Sequence, residues 1–356
     1  MKRIVFGLSL LLVMSLLIGS LVSCSTSPAT TSTVSPTQTT AQKVVIRFST
    51  PGPAEHPGTL LMIDAAKKFT EATGGRYEMK VFAGGTLAVS LDQMNAIRTG
   101  AIDMGDAATN FYAGDSAAFG VMDVPFLFNN LDAQAEFGAT AISTLDAVAQ
   151  QKMNQKLITT FVYGKKDVYT TAKQIKTLDD WKGLLVSINT PLESDLVKSL
   201  GAAPVLIDWV DEIPSLQKGL INAGIISSLA GLYSSGYADV IKYITVCNRA
   251  GGMGFIAINL DVWKAMPKDV QDIMLKTWQD FTVGFNKAFK QGEEVDWLQG
   301  IQKQGVTVYN LPVDERNKWI TTTKPIADSF WAGLPSDQAK ALKDAATAAN
   351  NKFPAK

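Results

Sequence analysis

The sequence predicts an α/β fold divided into two lobes, and three observations carry that prediction. Short β-branched runs alternate with stretches of helical periodicity, the pattern of helices packed on largely parallel sheets. The part able to fold runs to about 314 of the 356 residues, more than one ordinary hydrophobic core accommodates. The third is an apolar series, Val270, Met274, Trp278, Phe281, Phe285 and Phe289, that keeps helical spacing over an unusual length. A helix of about 30 residues reaches roughly 45 Å, the span of two small lobes, so this stretch reads as a strut joining them. Gly284, Gly292 and Gly300 are expected to bend or weaken it.

Residues 1–23 read as an export signal. Lys2 and Arg3 give a positive start, Ile4 to Leu21 is apolar with only Gly and Ser between, and Leu21-Val22-Ser23-Cys24 closes the run. An apolar residue, two small or medium ones and a cysteine form the lipoprotein cleavage pattern, in which the Cys24 thiol carries the lipid. An uncleaved anchor of that length can just span a bilayer but has no use for the cysteine. After Cys24, the rest of the 24–42 segment holds Ser, Thr, Pro, Ala, Val and Gln without a charge, a flexible tether with a reach on the order of 25 Å.

Along the body, Val44–Ser49 reads as a strand, and a helix begins near Pro57, with Leu61, Ala65 and Phe69 on one face and Gly74-Gly75 as its stop. Tyr77–Phe82 alternates as a strand, Leu91, Met94 and Ile97 mark a helical face, and Ala101–Met104 reads as a short strand. The second lobe opens near Leu157–Tyr163. Leu184–Ile188 is a strand leading into Thr190-Pro191-Leu192-Glu193, a capping box with Pro at the first helical position, and Leu192, Leu196 and Leu200 make the buried stripe. Val205–Ile207 reads as a strand. The next helix opens near Asp211, tolerates Pro214 in its first turn and ends at Gly219. Tyr243–Cys247 and Gly254–Asn259 read as separate strands; Val306–Tyr309 is another, and two helices finish the chain.

Composition excludes several function classes. Without Lys2 and Arg3 the net charge is near −2, with no basic stripe for nucleic acid and no later apolar run of membrane-spanning length. Cys247 has no disulfide partner once Cys24 is lipidated, so it reads as a buried thiol. The single histidine, His56, excludes multi-histidine metal sites, and no G-x-S-x-G elbow supplies a nucleophile. Ser215-Leu216-Gln217-Lys218 matches S-x-x-K without its companion elements, and Gly251-Gly252-Met253-Gly254 leads into a strand, where a dinucleotide loop would open a helix. No catalytic machinery, metal site or cofactor is implied.

Seven segments in order resemble the solute-binding proteins of TRAP transporters, the tripartite ATP-independent uptake systems, of the dicarboxylate-receptor type. They are Val81–Leu87, Ile97–Met104, Asp123-Val124-Pro125-Phe126-Leu127-Phe128, Asp179–Leu184, Leu200–Pro204, Leu216–Gly219, and Asn259-Leu260-Asp261-Val262-Trp263 with Met266-Pro267 and Gln271. The resemblance covers about Lys43 to Ala345 and implies a two-lobed periplasmic-binding-protein fold that closes a cleft over a small organic acid. It also implies a partner permease of small and large integral-membrane subunits. Lobe I is assigned 43–164 plus about 250–290, and lobe II 165–249 plus about 291–356.

The chain departs from the family where charge matters. Family members clamp the ligand carboxylate with an arginine, since a desolvated carboxylate needs a paired charge; Ser187 stands at that position here. A second family arginine corresponds to Lys166, and the polar stretch after Gly219 reads Asn222-Ala223-Gly224-Ile225-Ile226-Ser227. Lys166, Arg249 and the amides that follow Thr190 are therefore the candidates for an acid group. Trp209 is expected to stack on the ligand, and Asn110 and His56 to face the cleft from lobe I. The resulting expectation is a lipid-anchored receptor for a small organic acid other than a typical dicarboxylate, exported to the periplasm or cell exterior. The alternatives are the receptor of an ATP-driven importer for a neutral or weakly polar solute, and a surface enzyme or adhesion module.

Overall fold

A computed structural model describes residues 43–355 of the chain. The export signal, Cys24 and the tether lie outside the described residues. In chain order the elements are β1 (Val44–Ser49), α1 (Pro57–Ala72), β2 (Tyr77–Phe82), α2 (Ser90–Thr99), β3 (Met104–Ala108), α3 (Leu131–Met153), β4 (Gln155–Thr170), β5 (Leu185–Ile188), α4 (Pro191–Ser199) and β6 (Ala203–Leu206). They continue with α5 (Trp209–Gln217), β7 (Ala223–Gly224), α6 (Leu229–Ser234), β8 (Tyr243–Asn259), α7 (Leu260–Ala265), α8 (Lys268–Gln291), α9 (Trp297–Lys303), β9 (Thr307–Asn310), α10 (Val313–Ala332) and α11 (Ser336–Lys352).

One sheet runs in the order β2-β1-β3-β8-β4-β7-β5-β6, with β9 also on β8. Its two ends are parallel, as the alternating β and α segments require: β1 pairs with β2 and β3, and β5 with β6 and β7. Its middle is a long antiparallel pair, β4 and β8, in register from Gln155↔Asn259 to Thr170↔Tyr243 with three register shifts. These two strands belong to both lobes. The lobe I end of β8 pairs with β3 and its other end with β9.

The glycine run 251–254 lies inside β8, contrary to the expected break between two strands. A Cβ at Gly251 would collide with Met122, at Gly252 with Tyr163, and at Gly254 with Phe161. Glycine is required there by close approach of neighbouring side chains, so it does not interrupt the strand. The strand expected at Ala101–Met104 is β3, displaced to Met104–Ala108, and the helix expected near Asp211 starts at Trp209, capped by Asp208. Pro214 therefore sits inside α5.

The strut forms as expected. Val270, Met274, Trp278, Phe281, Phe285 and Phe289 are all buried along α8, which passes through a π-turn at Gly292–Asp296 into α9. Its stripe joins a core cluster that holds lobe I residues such as Phe48 and Phe69 together with Tyr169, Ile221 and Tyr237 of lobe II. A second cluster lies in lobe I around Phe119 and Phe137, and a third in lobe II around Trp181 and Trp319. One boundary is corrected: α11 packs against α3, and its Leu342 belongs to the lobe I cluster, so the end of the chain returns to lobe I although 291–356 was assigned to lobe II. Among the described residues no helix is long and apolar enough to cross a membrane.

Candidate functional site

Between the lobes lies a cavity of about 120 Å³. Its wall takes residues from the β1–α1 loop and α1 (Thr50, His56, Met62), from the β3 region (Asp106, Asn110), from β4 (Phe161, Tyr163, Lys166), from lobe II (Asn189, Trp209, Ser227) and from α8 (Phe285). That is the place where a two-lobed receptor would hold a solute.

Four of the expected residues meet there: Trp209, Lys166, Asn110 and His56. The other three, Ser187, Thr190 and Arg249, are buried but are not on the cavity wall. His56 caps α1, its Nδ1 accepting from the Gly58 amide at 3.1 Å, which leaves Nε2 to carry the proton. Burial lowers its pKa to about 4, so the ring is neutral. Trp209 opens α5 and meets the His56 ring edge-on at 5.8 Å, a contact from one lobe to the other. Asp208 adds a second such contact, its Oδ2 accepting from the Leu91 amide of α2 at 3.0 Å.

Lys166 reaches the wall already bonded. Its Nζ donates to Asp123 Oδ1 at 3.0 Å and to Glu193 Oε1 at 3.2 Å, with all three side chains at most 2% exposed. Burial alone would pull this ammonium down, but Asp123 and Glu193 together hold it above the ordinary lysine value. Arg249 completes the cluster, its Nη2 donating to Glu193 Oε1 at 3.1 Å and to the Ile225 carbonyl at 2.9 Å, while Nε and Nη1 have no partner among the described residues. Two cations thus face two carboxylates. Thr190 caps α4 through the Glu193 amide and donates to Asp123 Oδ2 at 3.1 Å. The expected capping box is half made, since Glu193 Oε2 accepts from the Asn189 amide. The helix terminus expected to receive a ligand anion is surrounded by the chain's own carboxylates.

Ser187, at the position of the family arginine, donates to Glu212. The same carboxylate accepts from Tyr169 Oη at 2.6 Å, Tyr237 Oη at 2.5 Å and Ser227 Oγ at 3.0 Å. Burial raises the Glu212 pKa against these four bonds. This knot fixes Ser227 at the wall and leaves Ser187 none of its hydroxyl proton to offer.

Residues missed by sequence reasoning dominate the remaining wall. Phe161, Tyr163 and Phe285 present aromatic surface, and Phe285 had been assigned to the strut's core face, which it also serves. Asp106 stands at the wall with its Oδ1 buried and unpartnered; burial pushes its pKa up to about 7, opposed by a hydrogen bond from Thr50. The available signal was an acid in a strand otherwise made of Met, Gly and Ala.

The family model for bacterial extracellular solute-binding protein, family 7, matches residues 48–330. The C4-dicarboxylate-binding periplasmic protein DctP of Vibrio cholerae is 25% identical over 316 residues, covering 87% of this chain and 92% of the relative. The C4-dicarboxylate-binding protein DctB of Bacillus subtilis is 23% identical over 290 residues, 80% of this chain and 81% of the relative. Among solved structures, the sugar acid binding protein DctPAm of Advenella mimigardefordensis, in complex with galactonate, superposes with a TM-score of 0.80 at 21% identity, covering 86% of this chain and 99% of that one.

Proposed function

The chain belongs to the bacterial extracellular solute-binding proteins of family 7, and from that premise we propose that it captures a small organic acid of low charge, other than a typical dicarboxylate, and passes it to the small and large membrane subunits of a TRAP permease. It is a TRAP-type solute-binding protein, an extracytoplasmic receptor and not an enzyme. Relatives named for C4-dicarboxylates and for a sugar acid support an organic-acid cargo. The receptor of an ATP-driven importer, the alternative reading, has no support in these relationships.

The observation that carries the low-charge reading is the neutral cluster of Lys166 and Arg249 with Asp123 and Glu193. An entering dicarboxylate would bring two charges into a low-dielectric cavity where both nearby cations are already matched. A thermal-shift series tests this. D-galactonate and pyroglutamate are expected to raise the melting temperature more than succinate, since a ligand at 100-fold its Kd adds about 2.7 kcal/mol. Succinate as the strongest stabiliser would reject the reading.

The proposed membrane link is Cys24, supported by the Leu21-Val22-Ser23-Cys24 pattern. Feeding producing cells an alkyne-tagged fatty acid should label the protein, and Cys24→Ser should abolish the label; a variant still labelled would place the lipid elsewhere.

A further inference from the structure

Several acids of lobe I are matched by a cation. Asp103 pairs with Arg47 at 2.8 Å, Asp115 with Arg98 at 2.7 Å, and Asp146 with Lys156 at 2.5 Å. Asp106 has no such cation among the described residues, and its Oδ1 has no partner. Four residues on, Asn110 is only 4% exposed, lines the same cavity, and has neither Oδ1 nor Nδ2 bonded. Gln93, close behind, shows what the fold does with a buried amide when it can: its Nε2 donates to the Ser49 carbonyl at 2.6 Å and to the Asp106 carbonyl at 3.1 Å. A buried polar group left without a partner is costly, and such groups cluster where a ligand supplies the missing bonds.

We propose that Asp106 and Asn110 form a subsite for a hydrogen-bond-donating group of the ligand, a hydroxyl or a protonated amine. The inference rests on the receptor reading above and narrows its cargo to acids that carry such a donor. An ionised carboxylate only accepts hydrogen bonds, so facing Asp106 it would set acceptor against acceptor. An O–H or N–H satisfies Asp106 Oδ1, while the Asn110 amide serves the same group as acceptor and its own neighbour as donor. Trp209, Phe161 and Phe285 add apolar surface to the wall, a low-dielectric setting that strengthens the bond. A site built this way rejects analogues that lack the donor far more strongly than an apolar pocket rejects a change of size.

The test is a calorimetric and thermal-shift comparison of the purified protein with matched probes. Hexanoate and succinate carry no donor; L-lactate and D-gluconate carry hydroxyls; β-alanine and 6-aminohexanoate carry an ammonium. Binding is expected only from donor-bearing probes. Asp106→Asn should weaken a hydroxyl probe about tenfold and an ammonium probe about a hundredfold, because the second bond is charge-assisted. Asn110→Ala should weaken both about tenfold, and the melting temperature of each variant without probe verifies folding. Binding led by hexanoate or succinate, including binding that strengthens as pH falls through 7, would overturn the donor subsite and leave the receptor reading in place. Variants within twofold of the original Kd would do the same. Silence from every probe would overturn both.

Discussion

Lys166 and Asp106 both reach the cavity, and the fold treats them differently. Lys166 arrives with two carboxylates within 3.2 Å and a second cation behind them. Asp106 arrives with an oxygen that nothing among the described residues bonds. A matched buried ion pair binds one part of a chain to another; in this cluster Asp123 comes before both crossing strands and Glu193 between them. An unmatched polar atom on a cavity wall is open to a partner from outside the chain, as one buried elsewhere, such as Arg249 Nε, is not. The difference teaches that charge alone does not mark a binding residue. What marks it is hydrogen-bonding capacity left over after the fold has used its share.

The largest effect should come from breaking the matched side. Lys166→Met leaves Asp123 and Glu193 beside Arg249 alone and should lower stability by about 3–5 kcal/mol in urea denaturation. A loss below about 1 kcal/mol would show that the cluster holds nothing together. On the unmatched side, Asp106→Asn should stabilise the ligand-free protein by about 1–3 kcal/mol at pH 8. The sign follows from the raised pKa. Between the usual carboxylate value and about 7 the unfolded chain has released this proton while the folded one keeps it, so stability falls as pH rises through that window. The gain from Asp106→Asn should therefore shrink toward pH 4, and an equal gain at both pH values would contradict the assignment.

Glu212→Gln sharpens the contrast in lobe II. The amide nitrogen cannot accept, so at least one of the bonds from Ser187, Tyr169, Tyr237 and Ser227 is lost, at a cost of about 1–2 kcal/mol measured by chemical denaturation. The smallest effect is expected from Trp209→Ala, which removes ring surface from the wall and the edge contact with His56; ligand affinity should fall about tenfold, equivalent to about 1.4 kcal/mol. An unchanged affinity would move Trp209 out of the site.

Most of the fold was legible because its signals are local. β1 was read to the residue from its β-branched run and β2 from alternation, Pro57 and Gly74 bounded α1, and the six apolar residues of the strut are all buried. Errors came where a neighbour distant in sequence sets the conformation. Gly251 and Gly252 look like a turn until Met122 and Tyr163 occupy the space their side chains would need. The site was legible by half. Trp209, Lys166 and Asn110 were singled out by position in a family pattern and His56 by its loop before the first helix, and all four line the cavity. That Lys166 is matched could not be seen, because its partners lie 43 and 27 residues away. Asp106 was passed over for the same reason: an acid in a strand shows its lack of a cation only when every neighbour is in place.

The crossing pair β4 and β8 carries a mechanical consequence. Three register shifts interrupt their ladder, at Leu157/Thr159, Val162/Gly164 and Lys166/Val168, and at the middle one Gly164 takes φ +120, where a Cβ would also strike Glu293. In the proposed receptor, closing the lobes would flex two continuous ribbons of sheet at their irregular points, as a leaf spring flexes. A side chain at Gly164 would strain that point in the ribbon and press on Glu293.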